Sequence, residues 1–139
     1  MDSGVATFIV SILIVAVLIF VAILLTGKRT HHFNTEAYQT RFLAIENKLN
    51  KENPAIFMTT IIEADKLLDK AMMEMGISGK TMGERLKHAT GRFSDINDVW
   101  RAHKLRNALA HESDLEIGYK QAFNALAIYK KALKDLGAI

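Results

Sequence analysis

Residues 5–26, VATFIVSILIVAVLIFVAILLT, run for 22 positions without a charged side chain. As a helix rising about 1.5 Å per residue, the run reaches roughly 33 Å, about one hydrocarbon core. A helix of this composition belongs in lipid, which predicts a transmembrane anchor over 1–27. A cleavable signal peptide has a basic start, about 7 to 15 apolar residues and a small-residue cleavage site. Here the start is acidic at Asp2, the apolar run is longer, and Gly27-Lys28-Arg29 follows. All 18 Lys and Arg residues lie at position 28 or later. Lys28 and Arg29, with His31 and His32 behind them, therefore flank only the C-terminal end of the span. By the positive-inside rule this predicts a single-pass cell-membrane protein, N-terminus outside and C-terminal domain cytoplasmic, with the lipid bilayer as its first partner. Thr7 and Ser11 share a helix face and have two uses open to them, bonding a neighbouring span or their own backbone.

Residues 28–33 read as a basic juxtamembrane linker. The seven residues 27–33 extend at most about 24 Å, which would hold residues 34–139 against the inner membrane surface. From Asn34 onward the pattern is helical. Tyr38, Phe42, Ile45 and Leu49 form one apolar stripe. Asn53 reads as an N-cap with Pro54 at the first helical position, opening a second helix on which Phe57, Ile61, Ala64, Leu68, Ala71 and Met75 keep the same stepping before Gly76. Met72, Met73 and Met75 at this spacing read as core filler. Thr81-Met82-Gly83-Glu84 has the form of a capping box and opens a short helix ending at Gly91. Ser94-Asp95 caps a fourth helix over 95–111. After a polar break at 112–114, a fifth over 115–136 aligns Tyr119, Ala122, Leu126, Tyr129, Leu133 and Leu136. No window alternates with the period of a strand. The expected fold class is all-α: a transmembrane helix, then a bundle of four main helices and one short one. With no cysteine, disulfides, a thiolate nucleophile and Cys-type zinc sites are excluded.

The segment 95–111 carries the most chemistry. On a helical wheel Val99, Ala102, Leu105, Leu109 and Ala110 share one broad arc expected to be buried, and Arg106 lies in its middle. A guanidinium cannot shed its charge to escape burial, so it must be paired, hydrated in a cleft or directed into an interface. His103, Asn107 and His111 recur every fourth residue beside that arc, with Trp100 alongside. In one reading Arg106 pairs with Asp65 or Asp69 on the second helix, while Asn107 and His111 bond backbone or finish the helix end. In the other, a histidine transfers a proton to or from a ribose hydroxyl and the arginine stabilises phosphate charge, a combination sufficient for RNA cleavage without metal or cofactor.

The string Leu105-Arg106-Asn107-Ala108-Leu109-Ala110-His111-Glu112 resembles the R-N-x-x-x-H signature of the HEPN superfamily, small all-α domains that often act as ribonucleases. The similarity extends over 34–139 through helix order, with the short string as its specific part. The resemblance implies a HEPN-like bundle in which Arg106 and His111 form the catalytic pair and Asn107 is their polar neighbour. It also implies that two subunits juxtapose these motifs in a homodimer, that 2′-hydroxyl attack gives a cyclic phosphate product, and that catalytically silent versions exist.

Between Lys80 and Arg106 there are seven basic residues against Glu84, Asp95 and Asp98, a net of +4. This stretch can draw RNA phosphate, with Arg101, His103 and Lys104 as the expected RNA-binding residues, or lie against anionic lipid headgroups. His111-Glu112 lacks a second histidine at zincin spacing, and no Gly-rich phosphate loop occurs, so neither metal nor cofactor is expected. Three readings follow: a membrane-tethered domain that binds or cleaves RNA, a non-enzymatic scaffold holding a protein partner, and a small membrane protein that oligomerises through its span. The surroundings of Arg106 separate the first two. A cleft shared between subunits favours catalysis, and an intramolecular carboxylate partner favours the scaffold.

Overall fold

The computed structural model of the chain describes residues 3–26, 32–112 and 114–139, and within 24–26 the backbone only. Lys28, Arg29 and His31, on which the orientation rests, lie outside the described residues, as does Ser113 in the polar break. The chain divides into two compact units, Met1–Thr30 and His31–Ile139.

The first unit is one helix, α1 (Ser3–Thr26), long and apolar enough to cross a membrane. Its large apolar side chains, such as Phe8, Leu13, Leu18 and Ile23, are exposed. A surface of that kind is stable only when something apolar covers it. Thr7 and Ser11 take the local option, donating to the carbonyls of Ser3, Gly4 and Phe8.

The second unit is all-helical among its described residues: α2 (Thr35–Lys48), α3 (Ala55–Glu74), the short α4 (Met82–His88) followed by a 3-10 turn at Thr90–Arg92, α5 (Ile96–His111) and α6 (Tyr119–Asp135). α3 is the central helix and packs against all four others. Ile61, Ala64, Leu68, Ala71 and Met72 on α3 are fully buried, as are Ala122, Tyr129 and Leu133 on α6. Each buried Leu or Ile contributes about 1.5–3 kcal/mol relative to exposure. Ends are specified locally. Asn34 accepts the Ala37 N–H, and Asp95 the Asp98 N–H. Gly76, at φ +72°, closes α3, with the Ile77 N–H reaching the Met72 carbonyl and the Gly76 N–H the Met73 carbonyl. This paired closure needs a left-handed residue at that position.

Several expectations are corrected. Pro54, not Asn53, is the N-cap of α3, and it brings no side-chain cap. α4 stops at His88, because the Ala89 N–H turns back to Arg85 and Leu86. Thr81 accepts the Glu84 N–H as expected, but Glu84 reaches back to the N–H of Lys80 rather than Thr81. Helix does not begin at Leu115. Residues 114–118 alternate exposed and half-buried, Leu115 and Ile117 inward, so the segment lies extended on the core. α6 then starts after Gly118, whose N–H donates to Gln121. Met72 is buried but Met73 is half exposed. On α5, Ala110 is exposed and His103 takes a place in the buried arc.

Candidate functional site

A polar cleft of about 740 Å³ opens where α3, the start of α4 and α5 meet. Each element contributes for a local reason. α3 presents Asp65 because the steps from Ile61 to Asp65, Leu68 and Met72 follow the buried face of a helix. α4 presents Arg85 for the same reason, one turn beyond buried Met82. α5 supplies Trp100, His103, Lys104, Arg106, Asn107 and His111, so every candidate except Arg101 lines this cleft. Arg101 lies in a neighbouring hollow with Asn97, Trp100 and Lys104. Its guanidinium is largely exposed and pairs with Asp98.

Two acids in the cleft are satisfied from within. Asp69 receives a fork from Arg85, Nε to Oδ1 and Nη2 to Oδ2, both at 2.7 Å. The third Arg85 nitrogen donates to the Gly79 carbonyl. That fork holds the buried Arg85 charged, raising its ionisation range further. Gly79 is required at this turn: at φ +149° a side chain is strained, and a Cβ would sit 2.7 Å from the Arg85 backbone nitrogen. Asp65, 4% exposed, accepts from His103 Nδ1 at 2.9 Å and from the Tyr129 hydroxyl at 2.9 Å. Burial, together with the Asp65 charge and hydrogen bond, pushes the Tyr129 phenol far above the ordinary tyrosine range.

Arg106 stands beside the same acid. Its Nε is 3.4 Å from Asp65 Oδ2, an ionic contact without hydrogen-bond geometry, since Nε is buried and makes no hydrogen bond. Its Nη1 donates to Asn107 Oδ1 at 3.0 Å, and Asn107 Nδ2 lies 3.2 Å from His103 Nε2. The four residues close a circuit whose direction is fixed by chemistry. Arginine only donates, so the Asn107 oxygen faces it; the Asn107 NH2 group then faces His103 Nε2, which must accept. His103 is thereby the Nδ1–H tautomer, donating to Asp65.

Of the expected intramolecular partners for Arg106, Asp65 is the one present, and Asp69 belongs to Arg85. Asn107 bonds side chains rather than backbone. His111 is exposed in the last turn of α5. His103, expected on the RNA-contacting surface, is buried and hydrogen-bonded on both ring nitrogens. The Arg85–Asp69 fork was not singled out in the sequence, although Arg85 keeps core spacing between Met82 and Ala89. Among the described residues Lys66, Lys80 and Lys104 at the cleft have no carboxylate partner. No cluster of three or more His, Asp or Glu side chains among those residues is placed to hold a metal ion. Compared with known proteins, the chain matches no family model, no curated protein and no solved structure.

Proposed function

We propose that this chain is a single-pass, membrane-tethered HEPN-like domain that faces the cytoplasm, pairs as a homodimer, and binds and cleaves RNA by acid-base chemistry. The observation that carries the reading is the charge balance of the cleft. Both of its carboxylates are consumed by internal partners, while Lys66, Lys80 and Lys104 stand free beside Arg106. The cleft therefore offers cations to an incoming polyanion. Arg106, 26% exposed at its side chain, reaches that space from the wall and can hold phosphate charge. His111, exposed at the helix end, can protonate a leaving oxygen. In the reaction O2′ attacks phosphorus, the bond from phosphorus to O5′ breaks, and the products are a 2′,3′-cyclic phosphate and a 5′-hydroxyl.

The full chain in lipid nanodiscs, given single-stranded RNA, should yield fragments ending in cyclic phosphate. Arg106→Ala and His111→Ala should each lower the rate by about a hundredfold or more with helix content unchanged, since acid-base catalysis alone contributes roughly 10² to 10⁴. A folded, fully active Arg106→Ala protein refutes the catalytic reading. Orientation is tested separately: in intact cells external protease should spare the C-terminal domain, and its digestion there without permeabilisation reverses the topology.

A second reading has its own support. Arg106 has its carboxylate neighbour, Asp65, inside the same chain. This favours a non-enzymatic, membrane-anchored scaffold in which the circuit braces a surface for a protein partner. A folded wild type that cleaves no RNA selects it.

A further inference from the structure

One group in the cleft is still unused by the proposed chemistry: His103, whose Nδ1 is tied to Asp65 and whose Nε2 accepts from the Asn107 NH2 group. Cleavage by 2′-hydroxyl attack needs two proton transfers, one away from O2′ and one onto O5′, and a single histidine supplies one of them per step. Gly83 leaves room on another side of the ring. A Cβ there would stand 3.9 Å from Nε2 and 3.5 Å from the Trp100 ring, so a larger side chain at 83 would fill that room.

We infer that His103 is the general base of this cleft, accepting the proton of a ribose 2′-hydroxyl at Nε2 once the substrate displaces the Asn107 amide from that lone pair, with Asp65 as the positioning residue that holds it in that tautomer. The inference rests on the RNA-cleaving reading above. A neutral histidine left to itself has two tautomers; a buried carboxylate at Nδ1 selects the one with a lone pair at Nε2 and stabilises the imidazolium formed on proton uptake. The other ionisable groups lining the cleft with His103 are Lys66 and Asp69 on α3, Lys80 just before α4, Arg85 on α4, and Lys104, Arg106 and His111 on its own helix, while Tyr129 on α6 shares Asp65. The circuit also couples the transfer to phosphate binding. For a 2′-hydroxyl to reach the Nε2 lone pair the Asn107 amide must turn away from it, and in turning the amide gives up its bond to Arg106. The guanidinium is then released toward the phosphate as negative charge builds there. Overall, the O2′ proton moves to His103, O2′ bonds to phosphorus, and the bond to O5′ breaks. O5′ takes a proton from His111, and the two histidines exchange protons with water to reset.

The test uses the full chain in nanodiscs with single-stranded RNA. His103→Asn keeps an N–H donor toward Asp65 but has no base. Its kcat should fall about a hundredfold or more, with KM changed less than threefold and the helical spectrum intact. In wild type the rate should rise and then fall with pH; His103→Asn should lose the acid limb and His111→Ala the alkaline one. Asp65→Asn should lower kcat in parallel with loss of the Nδ1–H tautomer, read by nitrogen-15 histidine spectra of the full chain. A His103→Asn protein with wild-type kcat and an intact acid limb overturns the inference and leaves the RNA-cleaving reading standing. So does an Nε2–H tautomer at His103 in wild type. A wild type that cleaves no RNA overturns both.

Discussion

Replacing Asp65 by alanine should be the most costly single change in the bundle outside its apolar core. The carboxylate is nearly inaccessible and serves three groups on two other helices, His103 and Arg106 on α5 and Tyr129 on α6. Without it, the Tyr129 hydroxyl and the His103 Nδ1–H are left as buried donors, each worth about 1–3 kcal/mol when unpaired. Arg106, a quarter exposed at its side chain, can turn toward water, so its share is small. The expected loss is roughly 3–5 kcal/mol, the range for removing one partner of a buried pair. A domain of this size has about 5–15 kcal/mol in all, so the variant should be folded but marginal.

Trp100 gives the assay. It is the only tryptophan in the chain and stands edge-on to His103 at 6.1 Å between ring centroids. Its fluorescence in a denaturant titration therefore reports the bundle even when α1 is held in a detergent micelle. Tyr129→Phe alone should cost about 1 kcal/mol, because it removes donor and polar atom together. Combined with Asp65→Ala, it should cost less than the two separate losses by about 1 kcal/mol or more, since the orphaned hydroxyl is then gone. A loss below about 1 kcal/mol for Asp65→Ala, or additivity within about 0.3 kcal/mol, would refute the account of Asp65 as the shared acceptor.

Two further outcomes follow from the same packing. Tyr129 has a folded-state ionisation range above the unfolded value of about 10, so its contribution is fully present below that pH and is lost as pH rises beyond it, when only the unfolded chain releases the proton. Denaturation midpoints should accordingly fall above about pH 10, and Tyr129→Phe should flatten that fall; an equally steep decline in the variant would assign it to other groups. Gly79→Ala should lower stability by about 1–3 kcal/mol, from the strain of a side chain at φ +149° and the clash with the Arg85 nitrogen, and an unchanged denaturation midpoint would show that the turn adapts.

What the sequence made legible is what periodicity encodes. The stripes on α2, α3 and α6 identify their buried faces because burial repeats with the helical turn. Arg106 stood out because a charge interrupted such an arc, and Asp65 interrupts one on α3 in the same way, between Ile61 and Leu68. Those interruptions brought an acid of α3 and Arg106 together as partners but left Asp65 and Asp69 both open. Periodicity cannot say how two helices are rotated against each other, and that rotation decided the rest. It turned Ala110 outward and His103 inward, and it gave Asp69 to Arg85 rather than Arg106. The start of α6 was missed for a different reason: Leu115 and Ile117 fit a helical stripe by composition, but the charged residues at 114 and 116 impose a two-residue alternation that an extended segment satisfies better. The circuit itself lies one level further from sequence. It joins residues 38 positions apart, and its direction comes from the donor and acceptor chemistry of four side chains in contact. Once Arg106 and Asn107 meet, the proton on His103 has one place to be. That placement ties a polar row on α5 to a buried acid on α3.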